Sequence, residues 1–190
     1  MKASQVILIT LAVIVGAIML AGGCAYSGYN QAVTLDEAVK GRWAQVENQL
    51  QRRFELIPNL VQTVKGVAAQ EEKIFLGVAE ARKAYFQAGT IREKAQAAGT
   101  FESALSRLLV LREAYPQLKS NESFLKLQDQ LEGTENRLAV ERKRYNDAVR
   151  EVNTFRRKLL GRIYAGLAGV DHAEYFEVTE AARTVPKVKF

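Results

Sequence analysis

At 190 residues the chain is the length of one ordinary domain, and with 48% hydrophobic residues it has enough apolar side chains to bury a core. Its single cysteine and single histidine exclude tetrahedral zinc centres, iron–sulfur clusters and disulfide frameworks, each of which needs several such side chains. A nucleophile activated by histidine would have only His172 as its base, in a polar stretch far from Cys24, so the composition points away from an enzyme and no cofactor or metal is expected.

The first predicted element is an uncharged apolar segment from Val6 to Gly23, preceded by Lys2. It lies at the short end of the roughly 17 to 25 residues that cross a bilayer. Two readings stand side by side. One is an uncleaved transmembrane helix, which Cys24 closes merely as a small apolar residue. The other is a lipoprotein-type signal ending in Leu20-Ala21-Gly22-Gly23-Cys24, where small residues give a signal peptidase access to the backbone, although Ala21 stands where such signals more often carry Leu, Val or Ile. Either one makes membrane lipid a partner through the N-terminal anchor. The positive-inside comparison of Lys2 with Lys40 and Arg42 is nearly balanced. A lipidated Cys24 places the soluble part outside the cytoplasm, at the periplasmic face. An uncleaved helix leaves open a single-pass inner-membrane protein with a cytoplasmic domain. Residues 1–24 are thus expected as the anchor and 25–33 as a linker.

Thr34 is followed three residues later by Glu37, the pattern of a capping box, and apolar residues then recur at Val39, Trp43, Val46, Leu50 and Phe54. The stripe stays in phase through Ile57, Val61, Val64, Ala68, Phe75 and Val78. Pro58 lacks an amide hydrogen and disfavours helix at Ile57, which predicts a new helix after a tight turn. A third stripe runs through Ala98, Phe101, Leu105, Leu108 and Leu111 to Tyr115-Pro116. The fourth starts near Ser120 or Asn121 and carries Phe124, Leu127, Leu131, Leu138, Tyr145, Val149, Val152, Phe155 and Leu159. That last helix would cover about 38 residues, or about 57 Å. Four amphipathic stripes on short connections bury their apolar faces only against one another. The predicted fold is therefore all-α: an elongated, antiparallel, up-and-down four-helix bundle over residues 34–162, preceded by the membrane segment and followed by a C-terminal tail, 163–190. No strand pattern appears before Val185.

Several multi-residue blocks then become recognisable in order. They are Tyr29-Asn30; Gln49 through Val61 with Val64-Lys65-Gly66, Glu71 and Ala81-Arg82; Tyr115 through Lys119; Leu127-Gln128 with Glu132 through Arg137; Tyr145 through Val149; and Tyr175-Phe176-Glu177 with Pro186 through Phe190. From about residue 29 to 190 the sequence resembles the LemA family. The resemblance implies a membrane-attached bundle of four antiparallel helices and no established reaction. Some members carry a transmembrane N-terminus and others a lipoprotein-like one, with a cysteine just before the Tyr-Asn pair; Cys24 stands shortly before Tyr29. Two departures are present. Glu55 replaces the family's usual aspartate, and Phe155-Arg156-Arg157-Lys158 predicts continued helix where the family usually has a Phe-Pro break.

Two polar sets draw attention. Arg52, Arg53, Glu55 and Asn59 surround the expected helix junction, and Thr134, Glu135, Asn136 and Arg137 lie in the middle of the last helix. If the bundle brings them together, they form either a buried polar network that sets helix register or a groove for an anionic or peptide ligand. Glu55 and Glu135 as a hydrolase pair are disfavoured, since each has an arginine beside it in sequence that favours the charged carboxylate. The stretch from Arg137 to Arg162 carries an excess of +6, equal to the net charge of the whole chain. Its Arg142, Lys143, Arg144, Arg150, Arg156, Arg157 and Lys158 read as a solvated basic face, a contact for anionic headgroups, or a phosphate binder for nucleic acid. An export signal counts against the last, so no nucleic acid is expected. His172 reads as a solvated loop residue, and Val185 to Phe190 as a short apolar and basic ending. The expectation is a membrane-anchored helical scaffold or protein-interaction protein of the bacterial cell envelope, without catalysis and with protein partners and oligomeric state open. The alternatives are a cell-envelope hydrolase using Glu55 or Glu135 and a basic binder of anionic membrane or nucleic acid.

Overall fold

A computed structural model describes residues 3–177. Lys2 and the ending from Val185 to Phe190 lie outside the described residues. The chain forms α1 (Ala3–Lys65), α2 (Glu72–Gln87), α3 (Ile91–Ala114), the single turn α4 (Pro116–Lys119), α5 (Glu122–Arg157) and α6 (Leu159–Leu167). There is no strand among the described residues, so the fold is all-α. Two compact units divide it. Among the described residues the larger holds Arg42–Asp147 with 174–177, and the smaller 3–41 with Ala148–Ala173.

In the larger unit most of the expected stripes form the core, with Leu60 buried in place of Val61, and Leu127 only half-buried. Val46, Leu50, Phe54, Leu60 and Val64 of α1 are fully buried, with Phe101, Leu105 and Leu108 of α3 and Phe124, Leu138 and Tyr145 of α5. Phe54 is the centre of an aromatic cluster, its ring 4.7 Å from Tyr85, 5.2 Å from Phe86 and 4.6 Å from Phe101. Offset and edge-on pairs of this kind add to the energy of area burial. Trp43 meets Tyr145 edge-on at 5.3 Å, which joins α1 to α5.

The breaks fall where tertiary packing puts them. Pro58 is inside α1, which continues to Lys65, so no tight turn forms there. An interior proline costs about 3 kcal/mol. Phe54, Ile57, Leu60 and Val64 flank it with exposures of 0 to 4%, and at about 1.5–3 kcal/mol for each buried side chain their packing outweighs that cost. The helix ends instead at Gly66, a poor helix former, and a turn follows in which Ala68 donates to the Val64 carbonyl and Glu71 to that of Ala68. Residues 25–33, expected as a linker, are helical and continuous with α1. Thr34 accordingly caps nothing: its hydroxyl donates back to the Asn30 carbonyl at 2.9 Å, a mid-helix bond. Among the described residues a capping box forms at Thr90, whose hydroxyl accepts from the Glu93 amide while the Glu93 carboxylate accepts from the Thr90 and Gly89 amides. Those two amide bonds hold the Glu93 carboxyl below its ordinary value.

The smaller unit corrects the expected end of the last helix. α5 stops at Arg157, Lys158 is extended (φ −71°, ψ 149°), and α6 starts at Leu159. The chain thus breaks within the Phe155–Lys158 run where continued helix was expected, without a proline. Three consecutive cations favour a helix C-terminus at this point, and Gly161 lets the chain return closely: a Cβ there would lie 2.0 Å from the Phe155 carbonyl oxygen. Leu159 therefore leaves the α5 stripe and is exposed. Beyond α6, Asn153 brackets the backbone of Ala173, its amide donating to the carbonyl at 2.8 Å and its oxygen accepting from the N–H at 3.1 Å. Asn153→Ala is expected to cost about 1–2 kcal/mol, because both backbone groups lose their partner. Urea unfolding of the full chain in detergent micelles measures it, and limited proteolysis should show faster cleavage near Ala173. An unchanged midpoint would mean that water replaces the amide at no cost.

Candidate functional site

Arg53 is the most deeply buried cation of the larger unit, its side chain 4% exposed. It sits on α1 between Leu50 and Phe54 of the core, and so its guanidinium enters the interior instead of solvent. Nη2 donates to Glu102 of α3 at 2.7 Å, and Nη1 donates to Glu135 of α5. Arg142, one face of α5 further along, stands 3.9 Å from Glu102 and 3.8 Å from Glu135, and its guanidinium stacks over the Phe176 ring at 4.8 Å. Two arginines and two carboxylates thus alternate across three helices.

Burial dominates the electrostatics here. It pushes the Glu102 carboxyl up to about 7, with Arg53 and Arg142 pulling it down and the neighbouring Glu135 pushing it further up. The same burial lowers Arg142. Not every polar atom is satisfied: Arg53 Nε, Glu102 Oε1 and Arg142 Nε are buried without a hydrogen bond among the described residues.

The structure brings parts of the two expected polar sets together. Arg53 meets Glu135 in the network. Arg52 and Glu55 of α1 line a cleft of about 460 Å³ with Leu56 and with Asp129, Gln130, Gly133, Thr134 and Arg137 of α5. Within it Glu55 accepts from Gln51 at 3.1 Å, and the Thr134 hydroxyl donates to the Leu131 carbonyl at 2.8 Å. Asn59 and Asn136 are exposed and belong to neither the network nor the cleft. Glu55 and Glu135 do not converge, since one lines the cleft while the other is paired with arginines.

Sequence reasoning missed Glu102. Its signal is positional, one residue after buried Phe101 and three before buried Leu105, so an acid there must sit at the edge of the core. Arg142, read from the sequence as part of the basic face, is a member of the network. Lys143, Arg144, Arg150, Arg157 and Lys158 are exposed and Arg156 is half-buried. Arg144 pairs with Glu141 at 2.6 Å. In the smaller unit Arg156, Arg157 and Arg162 line a cleft of about 540 Å³ with Asn153, Gly166 and His172. No group of three His, Cys, Asp or Glu side chains is placed to hold a metal among the described residues.

A second pair of sequence blocks also meets. Tyr145 donates to the Glu174 carbonyl at 2.7 Å, and Asn146 brackets Phe176, accepting from its N–H at 2.8 Å and donating to its carbonyl at 3.1 Å. These bonds seat Phe176 beside Trp43 and beneath Arg142.

Near its start α1 contains a stretch long and apolar enough to cross a membrane, with mean hydropathy 1.8 and only 6% of it buried. Cys24 is exposed on the same helix.

The chain is similar to magnetosome proteins MamQ 1 and MamQ 2 of Paramagnetospirillum magneticum, each 28% identical over 182 residues, covering 82% of this chain and 67% of theirs. Magnetosome protein MamQ of Magnetospirillum gryphiswaldense is 27% identical over the same coverage. The pattern of the LemA family matches residues 42–190, which includes the whole charged network and the blocks around Tyr145 and Phe176. The chain belongs to the LemA family.

Proposed function

We propose that this protein is a membrane-anchored helical scaffold of the bacterial cell envelope, with residues 34–162 arranged as an up-and-down antiparallel four-helix bundle whose outer faces receive protein partners. The anchor is the segment from Val6 to Gly23, either as a spanning helix or as a signal that leaves Cys24 lipidated, with the soluble part on the periplasmic side. The observation that carries this reading is the apolar start of α1, 6% buried although its composition is that of a membrane segment. An apolar surface of that length needs lipid or another partner to cover it. The magnetosome relatives support work at a membrane. The charged cluster supports a structural role over a catalytic one, since Arg53, Glu102, Glu135 and Arg142 spend their charges on one another.

Alkaline carbonate washing of membranes from cells that make the full chain is expected to leave the protein in the pellet. Removing residues 6–23 should release it to the supernatant. The intact mass of the wild type and of Cys24→Ser separates the two anchors: a lipid adduct absent from the variant marks the lipoprotein. Release of the unaltered chain by carbonate would overturn the anchored reading. A turnover lost in Glu55→Gln or Glu135→Gln with the fold intact would overturn the scaffold.

A further inference from the structure

Within the smaller unit, α6 is a nine-residue helix with two apolar faces. Gly161 and Ala165 are buried on one of them. Beside them Tyr164 reaches α1, where its ring stands 2.1 Å from the place a Cβ on Gly28 would take. The other face carries Leu159, Leu160, Ile163 and Leu167, which are 85, 57, 55 and 70% exposed. At about 100° per residue these four fall within roughly 100° of the helix circumference, with Arg162 about 60° to one side. Aliphatic side chains scattered singly over a surface need no account; four on one arc do.

Chemistry selects what covers this arc. Arg156, Arg157 and Lys158 come immediately before it and Arg162 adjoins it, so an apolar stripe is rimmed by four cations. That combination matches an anionic lipid surface, whose acyl boundary takes the aliphatic groups while its phosphates meet the guanidiniums. Position agrees. Gly28, the point where α6 meets α1, lies only about 7.5 Å along the helix beyond Gly23. Between and beside them Tyr26 and Tyr29 are exposed, and tyrosine favours the headgroup level of a bilayer. The contact is at that level whether the preceding segment spans the membrane or Cys24 bears a lipid.

We infer that α6 lies in the headgroup region of an anionic phospholipid bilayer, with Leu159, Leu160, Ile163 and Leu167 at the acyl boundary and Arg156, Arg157 and Arg162 on lipid phosphates. It is a second membrane contact beside the anchor, and it rests on the anchored reading. The cleft of about 540 Å³ that the three arginines line has room for a phosphate headgroup.

The test uses the full chain in nanodiscs containing phosphatidylglycerol, one copy to a disc. The chain carries Cys24→Ser together with Leu160→Cys labelled by an environment-sensitive fluorophore, and a parallel sample carries the label at Leu11→Cys in the anchor. Lipid-borne nitroxide is expected to quench the label at 160 and aqueous iodide to leave it alone. Exchange to pure phosphatidylcholine should lower the docked-to-free ratio, and Arg156→Gln, Arg157→Gln and Arg162→Gln should each lower it roughly fivefold on the anionic discs. Iodide quenching at 160 with lipid quenching at 11 overturns this inference and leaves the anchor standing. Iodide quenching at both positions overturns both. Protection from both quenchers at 160 means that the protein itself covers the arc, and indifference to headgroup charge means that anionic lipid is not what α6 recognises; each overturns the inference.

Discussion

Arg53→Met is expected to lower the unfolding free energy by about 3–5 kcal/mol, the cost of leaving buried charge without its partner. Methionine is close enough in size to keep the packing between Leu50 and Phe54, so the loss is electrostatic. Glu102 and Glu135 would then face each other with only Arg142, which stands at 3.8–3.9 Å from them and makes no hydrogen bond of its own Nε. Urea unfolding of the full chain in detergent micelles, followed by circular dichroism, measures the change. Combining Arg53→Met with Glu102→Gln, Glu135→Gln and Arg142→Met is expected to recover most of it, because a buried charged network replaced whole by neutral groups is often no less stable than the original. A single substitution costing under about 1 kcal/mol would show that the network is solvated and carries little, and a quadruple variant weaker than the single one would show that the loss of Arg53 does not strand the remaining charges.

Glu102 gives the second large effect, a dependence on pH. Its carboxyl is raised to about 7 by burial, against an ordinary value of 4.5. The folded state therefore holds a proton that the unfolded state has already released between those two values. Stability on this account is full below about pH 4.5 and declines as pH rises toward 7, by up to about 3 kcal/mol. The groups that face the carboxyl are Arg53 on α1 and Glu135 and Arg142 on α5, and the two arginines already oppose the shift. Glu102→Gln is expected to flatten this stretch of the curve. Glu93 and Glu113, both held below their ordinary values, act in the other direction at lower pH, where their contributions fade as they protonate. Unfolding free energies measured from pH 5 to 8 for wild type and Glu102→Gln decide it. Parallel curves for the two proteins would sink the assignment.

The two expectations describe a cluster that costs stability at neutral pH through Glu102 yet does not tolerate the loss of Arg53 alone. Such a cluster fits helix register better than ligand capture, since Arg53, Glu102 and Glu135 join α1, α3 and α5 at one level. A slip of one helix by a turn would separate them by about 5 Å and strand each charge in the core.

Apolar spacing alone marked α3, most of α5 and the second half of α1, because a period near 3.6 is a property of consecutive residues and needs no knowledge of what lies opposite. Arg53 and Glu135 stood out in the sequence only as members of two polar sets, around the expected helix junction and in the middle of the last helix. Where helices stop was a different matter. Thr34 with Glu37 and Thr90 with Glu93 carry the same local pattern, yet only Thr90 caps, because the residues before Thr34 are already helical. Pro58 disfavours helix locally, and the burial of Phe54, Ile57, Leu60 and Val64 in the core overrides it. Glu102 meets Arg53 and Arg142 across 49 and 40 residues of sequence, pairings that only chain folding creates. Local periodicity and capping chemistry set which residues are helical; the sum of long-range burial and charge pairing, larger than any local preference, set where each helix ends and which charges meet.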